Sequence, residues 1–515
     1  MRPPLSSLDA QYDLVIVGGG ITGAGLLREA VRTGARVLLV EARDFASGTS
    51  SWSSKLVHGG LRYLKEGQWR LTLESVRERQ RLLREAPGLV EPLPFLMPIR
   101  RGARPGRWIM RIGLAVYDLM AGARRSGWLN VAQVRQRVSS LRVDALLGAV
   151  HYEDARTDDA RLVLRLIQES MALGGTARNY VRANVRCEGG RVTGVSLVDA
   201  LDGSCREIGA SVVVNATGAW AAMLDGAPKG APTLRPLRGS HLVFDRRRFP
   251  LEVAVSWLHP RDRRPIFAYP WEGATVFGTT DLDHDQSLDA PRMSAAERDY
   301  LMEGLHAEFP QLALSAKEAI SCYAGVRPVV SSGQADPSAE SRESAQWVAP
   351  GLIGITGGKL TTFRVTAREV LRAAAQQWPQ LMPASDEAPV FAPIAEPSEA
   401  SAVTTRLRGR LGQRWSAFLA AAPAADMEPI GETPYTWAEL RWAVAQEQVV
   451  HLEDLMMRRT RLGLISPQGG AAFLERIGGI CRETLGWDDV RWQQERQAYL
   501  DYWARAHAPV TEFES

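Results

Sequence analysis

The chain has 515 residues, a formal net charge of +4, and 45% hydrophobic and 23% charged residues. This length allows two or three domains with large cores, and so small a charge does not indicate a nucleic-acid-binding protein. The four cysteines have no C-x-x-C spacing, which favours neither a metal centre nor a disulfide framework. No apolar run is long enough to predict a membrane-spanning helix, and the N-terminus lacks the apolar stretch of a secretory signal.

The first predicted elements are a strand, a glycine-rich turn and a helix. Asp13–Val17 reads DLVIV, then Gly18, Gly20 and Gly23 fit G-x-G-x-x-G, and a second strand ends at Glu41. In this pattern the glycines allow a tight turn, close approach of a pyrophosphate and packing of helix on sheet. The helix N-terminus favours phosphate, and the terminal acid can bind a ribose hydroxyl. The unit therefore predicts a dinucleotide-binding fold.

Strand-like and helix-like patterns continue along the chain. Alternating or β-branched runs predict strands at Arg191–Val198, Ser211–Asn215, His241–Phe244, Ile266–Tyr269, Thr275–Gly278 and Leu352–Thr356. Apolar residues at helical spacing predict helices at Leu71–Glu85, Asp158–Leu173, Ala295–Glu308 and Thr361–Gln377. Residues 383–400, rich in Pro, Ala and Ser, predict a linker. We therefore expect an α/β body followed by a helical C-terminal domain.

Two helix starts are predicted within that C-terminal domain. Thr436 and Glu439 have the spacing of a capping box ahead of an apolar-periodic run. Ser466 followed by Pro467 has the pattern of an N-cap with proline at the first helical position.

Three further segments carry residues suited to binding a cofactor. Residues 50–64 read SSWSSKLVHGGLRYL, and such small residues allow an isoalloxazine edge to approach the backbone. Residues 215–218, NATG, end a predicted strand. Residues 354–362 read GITGGKLTT, a strand, a glycine turn and a helix start. The last segment has three residues rather than the four of a P-loop between Gly354 and Gly358-Lys359, so a nucleoside triphosphate site is not predicted.

With these segments in order, the chain resembles the FAD-dependent (aerobic, respiratory) glycerol-3-phosphate dehydrogenases. The motifs that carry the resemblance are GGGITGAG, TSSWSSKLVHGGLRYL, VNATGAW, RGSHLVF, FGTTD, YAGVRP, GGKLTTFR and EQVVHLEDLMMRRTRLG. The resemblance implies an α/β fold like that of D-amino-acid oxidase, with a Rossmann-type FAD-binding domain, a β-sheet substrate cap and a C-terminal helical domain. The implied limits are 10–80, 145–235 and 321–385 for the FAD-binding domain, 81–144 and 236–320 for the cap, 386–400 for a linker and 401–515 for the helical domain.

The resemblance also implies a reaction. FAD is the expected cofactor, and sn-glycerol 3-phosphate is oxidised to dihydroxyacetone phosphate by hydride transfer from C2 to flavin N5, with the electrons passed to a membrane quinone. A cytoplasmic protein, peripheral on the inner face of the cytoplasmic membrane, is implied. The choice between ubiquinone and menaquinone stays open, as does the number of associated chains, with a homodimer as one option.

Three alternative functions are weighed against this one. A glycerol-3-phosphate oxidase would use O2, but the oxidases that resemble this chain are expected to carry extra sequence. An amine or amino-acid oxidase of the same fold would need one carboxylate-binding arginine rather than a set of arginines and lysines. A non-catalytic flavin-binding scaffold would not need His58, His241, Arg327 and Lys359.

Substrate contacts are carried over from the motifs. A dianionic phosphate needs permanent cations with forked donors. Arg327 is the first choice, and Arg342 and Arg62 follow. The remaining expected substrate contacts are Lys55, Tyr63 and Thr279.

The chemistry needs a base for the C2 hydroxyl proton. His58 and His241 are the candidates, because histidine titrates near neutral pH, and they are not ranked. Lys359 is expected near the flavin, where a positive charge stabilises the reduced anionic form. Together with Arg327 these residues form the expected catalytic set. FAD contacts are expected at Gly18, Gly20, Ile21, Thr22, Gly23, Glu41, Thr49, Ser50, Ser54, Lys55, Leu56, Ala216, Thr217, Gly218, Gly358, Lys359, Leu360 and Thr361.

Residues 100–125 read RRGARPGRWIMRIGLAVYDLMAGARR and mix arginines with large apolar residues. That composition is typical of an interfacial helix, with apolar bulk toward lipid and arginines toward anionic headgroups. We predict that it docks on an anionic membrane surface, mainly through Arg100, Arg101 and Arg104. The alternative is a helix that packs under the cap and has a basic flank.

Overall fold

The computed structural model of the protein describes residues 2–60, 68–103, 106–226, 230–333, 340, 343–394 and 401–510. Its strands are β1 (Gln11–Val17), β2 (Val37–Val40), β3 (Leu56–Val57), β4 (Val90–Arg100), β5 (Gly127–Leu129), β6 (Leu146–Thr157), β7 (Thr176–Arg178), β8 (Val181–Glu188), β9 (Arg191–Asp199), β10 (Cys205–Asn215), β11 (Leu234–Asp245), β12 (Ala254–Leu258), β13 (Pro265–Trp271), β14 (Ala274–Gly278), β15 (Leu282–Asp283), β16 (Ala319–Val330), β17 (Ala345–Ala349) and β18 (Leu352–Thr356).

The helices alternate with these strands and then fill the C-terminal region. They are α1 (Ile21–Val31), α2 (Trp69–Glu85), α3 (Arg107–Ala121), α4 (Val131–Arg137), α5 (Asp159–Ala172), α6 (Ala295–Glu308), α7 (Phe363–Ala375), α8 (Ala402–Leu411), α9 (Trp415–Ala421), α10 (Trp437–Gln446), α11 (Leu452–Asp454), α12 (Leu462–Ile465), α13 (Leu474–Leu485) and α14 (Asp489–Ala506). The predicted strands and helices of the α/β body are all present, with ends that differ by a few residues.

The first sheet contains the glycine-rich turn. Its strand order is β17-β18-β10-β1-β2-β7, with β8 and β9 joined to it through β10. Strand β1 pairs in parallel with β2 and β10, and β10 pairs in parallel with β18. All but the first residue of β1 are buried, as expected of a parallel strand covered on both faces. The carboxyl ends of β1, β10 and β18 meet at one edge, where ligands bind in open α/β sheets.

The second sheet lies over that edge and is mostly antiparallel. Its order is β15-β11-β14-β13-β12-β4-β6-β3, with β16 paired to β11 and β5 paired to β6. Strand β11 therefore lies between β14 and β16. This register places His241 beside Gly278 on one side and beside Tyr323 on the other. The fold class predicted from the sequence, an α/β body with a β-sheet cap and a C-terminal helical region, is confirmed.

The predicted domain limits do not follow the sheets at three places. Strand β3, in residues 56–57, strand β6, in residues 146–157, and strand β16, in residues 319–330, all pair within the second sheet. The prediction gave all or nearly all of these strands to the FAD-binding domain. The remaining limits stay a prediction.

The two predicted helix starts in the C-terminal region have different outcomes. The capping box is confirmed, because Glu439 N donates to Thr436 Oγ1 at 3.2 Å and Thr436 N donates to Glu439 Oε2 at 3.0 Å. Ser466 is the N-cap, with Pro467 at the first position, but of a 3-10 segment, Pro467–Phe473, in which the Ser466 side chain makes no cap hydrogen bond and residues 468–470 have positive φ. Three consecutive left-handed residues interrupt a regular helix, so α13 begins only at Leu474.

Helix α3 is the helical part of the predicted interfacial segment, whose first residues instead end β4 and form a turn. Leu114 and Tyr117 are buried, whereas Trp108, Ile109 and Ile112 are each about two-thirds exposed. Within the described ranges, none of the helices combines the length and the hydropathy that crossing a lipid bilayer requires.

Candidate cofactor and substrate site

A cavity of about 790 Å³ opens where β1, β2 and β10 end. Its walls come from the loops that follow these strands, from β8 and from the turn before α7. Most of the predicted cofactor residues line it. They are Gly18, Gly20, Ile21, Thr22, Glu41, Thr49, Ser50, Ala216, Thr217, Gly218, Gly358, Lys359 and Leu360.

The glycine turn shapes the cavity next to α1. Gly18 has φ +116°, and a Cβ there would lie 2.5 Å from the carbonyl oxygen of Ala216. A Cβ at Gly23 would collide with the carbonyl oxygen of Gly18, so only glycine fits at this crossing of helix and strand. The N-cap of α1 is Gly20, which has no side chain to occupy the N–H groups of the first turn. This helix end is therefore suited to bind a pyrophosphate.

Glu41 projects into the same cavity from the end of β2. Its carboxylate accepts hydrogen bonds from Gly19 N at 2.7 Å and from Arg43 N at 2.9 Å. Burial raises the pKa of Glu41, although these two donors act in the opposite direction. The backbone thus fixes a carboxylate where it can accept a ribose hydroxyl.

Two further turns close the cavity. Asn215, the last residue of β10, accepts hydrogen bonds from Thr217 N at 3.2 Å and from Thr217 Oγ1 at 2.7 Å. Thr356 Oγ1, at the end of β18, donates to the carbonyl oxygen of Gly218 at 2.9 Å. These contacts join the two strand ends, so that their turns form one continuous wall.

Lys55 does not line this cavity, although it was expected to bind both substrate and FAD. Its side chain is fully buried, and Nζ donates to the carbonyl oxygen of Ser51 at 2.8 Å and to Asp159 Oδ1 at 3.1 Å. The ammonium also lies over the rings of Tyr323 and Trp271. Burial lowers the pKa of Lys55 to about 8, against the opposing effect of Asp159. Its ammonium is thus placed in a buried ion pair, away from the cavity.

Four other expected cofactor residues lie behind the wall. Gly23 belongs to the helix crossing described above, and Leu56 belongs to a buried apolar cluster. Thr361 Oγ1 donates to the carbonyl oxygen of His58 at 3.3 Å, which joins the turn before α7 to the loop after β3. Ser54 contacts His241, as described below.

The second sheet supplies the charged part of the site. Arg327 Nη1 donates to Asp281 Oδ1 at 2.6 Å, and its Nη2 donates to Thr279 Oγ1 at 3.3 Å. Asp281 is buried and also pairs with Arg264 at 3.3 Å. The side chain of Arg327 is 23% exposed. Asp281 thus orients the predicted phosphate-binding arginine.

His241 lies on the neighbouring strand, next to the cofactor loops. Its Nε2 is 3.0 Å from Ser54 Oγ, and its ring stacks on Tyr323 with centroids 4.6 Å apart. Burial, together with the charges of Arg327 and Lys55, holds the pKa of His241 well below the usual range. The imidazole is therefore neutral at physiological pH, and the same burial and neighbouring cations make it a weak base.

The remaining expected site residues fall into two groups. His58 is half-buried after β3, and Lys359 lines the cavity. Arg62, Tyr63 and Arg342 lie outside the described residues.

Sequence reasoning missed several residues of the cavity wall. Arg43 and Trp220 both line it, with the guanidinium 4.9 Å from the ring centroid. Both lie next to motifs that had been recognised, two residues after Glu41 and at the end of VNATGAW. Their adjacency to these motifs is the signal that could have found them.

Comparison with known proteins gives the family. The model of FAD dependent oxidoreductases matches residues 13–373, and the model of the C-terminal domain of alpha-glycerophosphate oxidase matches residues 366–492. Glycerol-3-phosphate dehydrogenase 2 of Mycobacterium tuberculosis is 34% identical over 97% of this chain and 89% of that protein. The chain belongs to the FAD-dependent glycerol-3-phosphate dehydrogenase family.

Two further members of this family support the assignment. The aerobic glycerol-3-phosphate dehydrogenase of Bacillus subtilis is 39% identical over 70% of this chain and 66% of that protein. The glycerol-3-phosphate dehydrogenase of Bacillus halodurans, solved with FAD, has a TM-score of 0.75 and 29% identity, with coverage of 98% of this chain and 97% of that chain. FAD is therefore the cofactor of this family member, as the resemblance implied.

The cavity fits that cofactor. Its volume lies in the range of about 300–1,000 Å³ typical of cofactor sites. The glycine turn and the N-terminus of α1 are suited to the pyrophosphate, and Glu41 to the ribose. The shape and the donor set of the cavity therefore agree with FAD.

An oxidase shares the fold of the α/β body. The L-alpha-glycerophosphate oxidase of Mycoplasma pneumoniae matches it at 17% identity and a TM-score of 0.54, with coverage of 71% of this chain and 94% of that chain. The fold is therefore common to proteins named as dehydrogenases and as oxidases, and the predicted difference in length from the similar oxidases stays a prediction.

Proposed function

We propose that this chain oxidises sn-glycerol 3-phosphate to dihydroxyacetone phosphate and passes the electrons to a membrane quinone. The observation that carries the proposal is the pairing of Arg327, on the strand next to that of a neutral His241, with Asp281 and Thr279 of the loop between β14 and β15. A fixed cation and a neutral base beside an FAD cavity match a substrate with a phosphate and an oxidisable hydroxyl.

The phosphate is bound by the arginine. A guanidinium donates in a planar fork that matches phosphate oxygens, and Asp281 and Thr279 orient this fork before substrate arrives. Thr279 contributes a hydroxyl near the same place. Arg62, Arg342, Lys55 and Tyr63 stay proposed contacts from the family motifs, although the buried ion pair of Lys55 limits its part to holding the loop.

The C2 hydroxyl proton is taken by a histidine. His241 is kept neutral by burial and by neighbouring cations, so it can accept that proton, and Ser54 holds its ring. His58 is the second candidate, and Lys359 supplies a cation in the cavity wall. When bound, FAD supplies the two-electron acceptor for the hydrogen at C2.

The experiment is anaerobic mixing of the holoenzyme with sn-glycerol 3-phosphate while the flavin absorbance is followed. Bleaching, then fast reoxidation by a soluble quinone and slow reoxidation by O2, is the expected result. Fast reoxidation by O2 would instead make the protein an oxidase. Absence of bleaching would overturn the substrate assignment and favour an amine oxidase or a flavin-binding scaffold.

The proposed place of the enzyme is the inner face of the cytoplasmic membrane, with α3 as the contact. Trp108, Ile109 and Ile112 are exposed on its outer face, and the guanidinium groups of Arg107 and Arg111 each lie 5.2 Å from the Trp108 ring. Arginines beside exposed apolar residues suit an anionic lipid surface. The inner face of α3 packs under the cap. The segment therefore combines the buried face expected of a helix under the cap with the exposed face expected of an interfacial helix.

Arg100 and Arg104, two of the three arginines predicted to contact the membrane, are less useful for testing that contact. Arg100 pairs with Glu308 at 2.8 Å, and its side chain is only 17% exposed. Arg104 lies outside the described residues. Arg100 thus already has a carboxylate partner, and its predicted contact with lipid headgroups stays a prediction.

Cosedimentation with anionic vesicles tests the contact. The double variant Trp108→Ser/Ile112→Ser should lose most vesicle binding, whereas Leu173→Ser should keep it. Leu173 is also about half exposed, but it follows α5. Equal cosedimentation of all three proteins would overturn the docking surface.

A further inference from the structure

A short segment of buried arginines connects the C-terminal helical region to the cofactor site. Arg458 and Arg459 end a π-helix, Leu455–Arg459, and Arg461 follows. The three side chains are at most 2% exposed. Guanidinium groups buried this deeply need carboxylate partners. Arg458 has two such partners nearby, Glu453 and Asp454, each at 2.7 Å, and all three arginines also pair with carboxylates outside the C-terminal region.

The first partner is Asp44, at the start of the loop after β2. Arg458 Nε donates to Asp44 Oδ2 at 2.6 Å, and Arg459 Nη1 and Nη2 donate to Oδ2 and Oδ1 at 2.5 and 2.8 Å. Burial alone would raise the pKa of Asp44, but Arg459 and Arg458 hold it at about 2. Asp44 is therefore ionised and fixed to two arginines at physiological pH.

The second partner is Asp159, the first residue of α5. Arg461 Nη2 donates to Asp159 Oδ1, and its Nε donates to Asp158 Oδ1 at 2.9 Å. Asp159 in turn binds the same loop further along, because its Oδ2 accepts from Ser53 N at 3.1 Å and from Ser53 Oγ at 2.7 Å. Lys55 Nζ lies 3.1 Å from its other oxygen. One carboxylate thus joins Arg461 to two positions of the loop.

The stretch between these two anchors, residues 44–55, is the FAD loop. Ser47, Gly48, Thr49, Ser50 and Ser53 line the cofactor cavity. Ser50 Oγ also accepts from Ile21 N at 2.9 Å, which connects the loop to the helix that receives the pyrophosphate. Both ends of the FAD loop are therefore held by arginines from a distant part of the chain.

We infer that Arg458, Arg459 and Arg461 are positioning residues that set the shape of the FAD loop. The C-terminal helical region contributes this clamp to the flavin site. The inference rests on FAD as the cofactor and is independent of the substrate and of the electron acceptor.

Arg406 offers a matched control within the same region. It is an arginine with a 13% exposed side chain that pairs with Glu272 at 3.0 Å and with Glu439 at 2.9 Å, and its guanidinium lies over the Tyr435 ring. These contacts join the C-terminal region to the turn between β13 and β14 of the cap sheet. Arg406→Met removes a cation from two carboxylates, as Arg461→Met does, while leaving the partners of the FAD loop in place.

The test compares purified holoenzymes of the parent, Arg461→Met and Arg406→Met. The melting temperature should fall in both variants, because each removes one of the cations that neutralise two buried or half-buried carboxylates. Only Arg461→Met should raise the dissociation constant of FAD, by about tenfold or more, and change the visible circular dichroism of the bound flavin. Unchanged FAD affinity in Arg461→Met, or an equal loss in Arg406→Met, would overturn the clamp.

Two milder variants decide the question if Arg461→Met does not fold. Ser53→Ala removes the hydrogen bond that Ser53 Oγ donates to Asp159 and the one that it accepts from Lys55 N, and leaves every charged group in place. It should weaken FAD binding about threefold with little change in melting temperature. Arg461→Lys keeps the charge but loses the fork, so it should bind FAD with an affinity between those of the parent and Arg461→Met, and more weakly than the parent. Parent-like FAD affinity in both variants would contradict the inference.

Discussion

The cofactor cavity and the proposed substrate-binding side chains of the second sheet, called the substrate face below, meet at Ser54 but are built in different ways. The cavity is made by backbone, with turns at Gly18 and Gly218 that have positive φ and with N–H groups at the start of α1. The substrate face is made by side chains. Arg327 is held by its hydrogen bond to Asp281, and His241 is held by its contact with Ser54. A side chain added at a tight backbone turn collides with neighbouring backbone atoms, so its effect is large. A side-chain contact can instead be weakened in small steps by milder substitutions. Cofactor binding should therefore fail abruptly, and catalysis should fail gradually.

The largest effect is expected from Gly23→Ala. The new Cβ would collide with the carbonyl oxygen of Gly18, and overpacking against backbone costs about 3 kcal/mol, or roughly a hundredfold in FAD affinity. The ratio of flavin to protein absorbance after purification measures this loss. Gly479→Ala, in α13 with nothing within 4 Å of the new Cβ, should keep its full flavin content. Normal flavin content in Gly23→Ala would contradict a cavity built on backbone.

Asp281→Asn should be milder and should spare the cofactor. Removing the charge that orients Arg327 should cost about 2 kcal/mol, or about thirtyfold in KM for glycerol 3-phosphate, with flavin content unchanged. Steady-state kinetics with a soluble quinone give this value. Arg264→Gln, which removes the other partner of Asp281, should raise KM less. If the two variants raise KM equally, Asp281 stabilises the fold rather than orienting Arg327.

A smaller loss is expected from Ser54→Ala. This change removes the contact with His241 Nε2, and one neutral hydrogen bond is worth about 1 kcal/mol, or about fivefold in rate. The rate of anaerobic flavin reduction should fall by that factor while KM stays nearly constant. An unchanged reduction rate would mean that Ser54 does not position His241.

The last effect concerns stability rather than binding or catalysis, and it belongs to His507, whose ring contacts Trp52 of the FAD loop. Burial lowers the pKa of His507 to about 4, so between pH 4 and 6.5 the unfolded chain binds more protons than the folded one. Stability is therefore lost as the pH falls through this window, by about 2 kcal/mol between pH 7 and pH 5. His507→Phe should show a smaller drop in melting temperature over that interval. A drop equal to that of the parent would assign the acid sensitivity to other groups.

The sequence predicted the cofactor cavity better than the substrate face, for a physical reason. A turn at Gly18 or Gly218 depends on a few consecutive residues, so its glycine pattern is visible in one chain. The partner of Arg327 is 46 residues away, and the partner of Lys55 is 104 residues away. Such pairs form only after the strands and helices have come together. Lys55 was therefore expected in the substrate site, whereas the fold places it in a buried ion pair.

The same limit explains what was missed in the C-terminal region. The sequence showed the arginines of EQVVHLEDLMMRRTRLG as part of a family motif. Their partners, Asp44 and Asp159, lie more than 300 residues earlier. No periodicity or capping pattern connects residues so far apart. The clamp could be recognised only from the folded structure.

The most direct test of the division between cavity and substrate face compares two substrates in two proteins. Flavin reduction is measured without oxygen for glycerol 3-phosphate and for glycerol, in the parent and in Arg327→Met. If the guanidinium recognises the phosphate, the parent should prefer glycerol 3-phosphate by about a thousandfold, and Arg327→Met should lose most of this preference while keeping its FAD. An undiminished preference in Arg327→Met would contradict the account, because it would place phosphate recognition elsewhere.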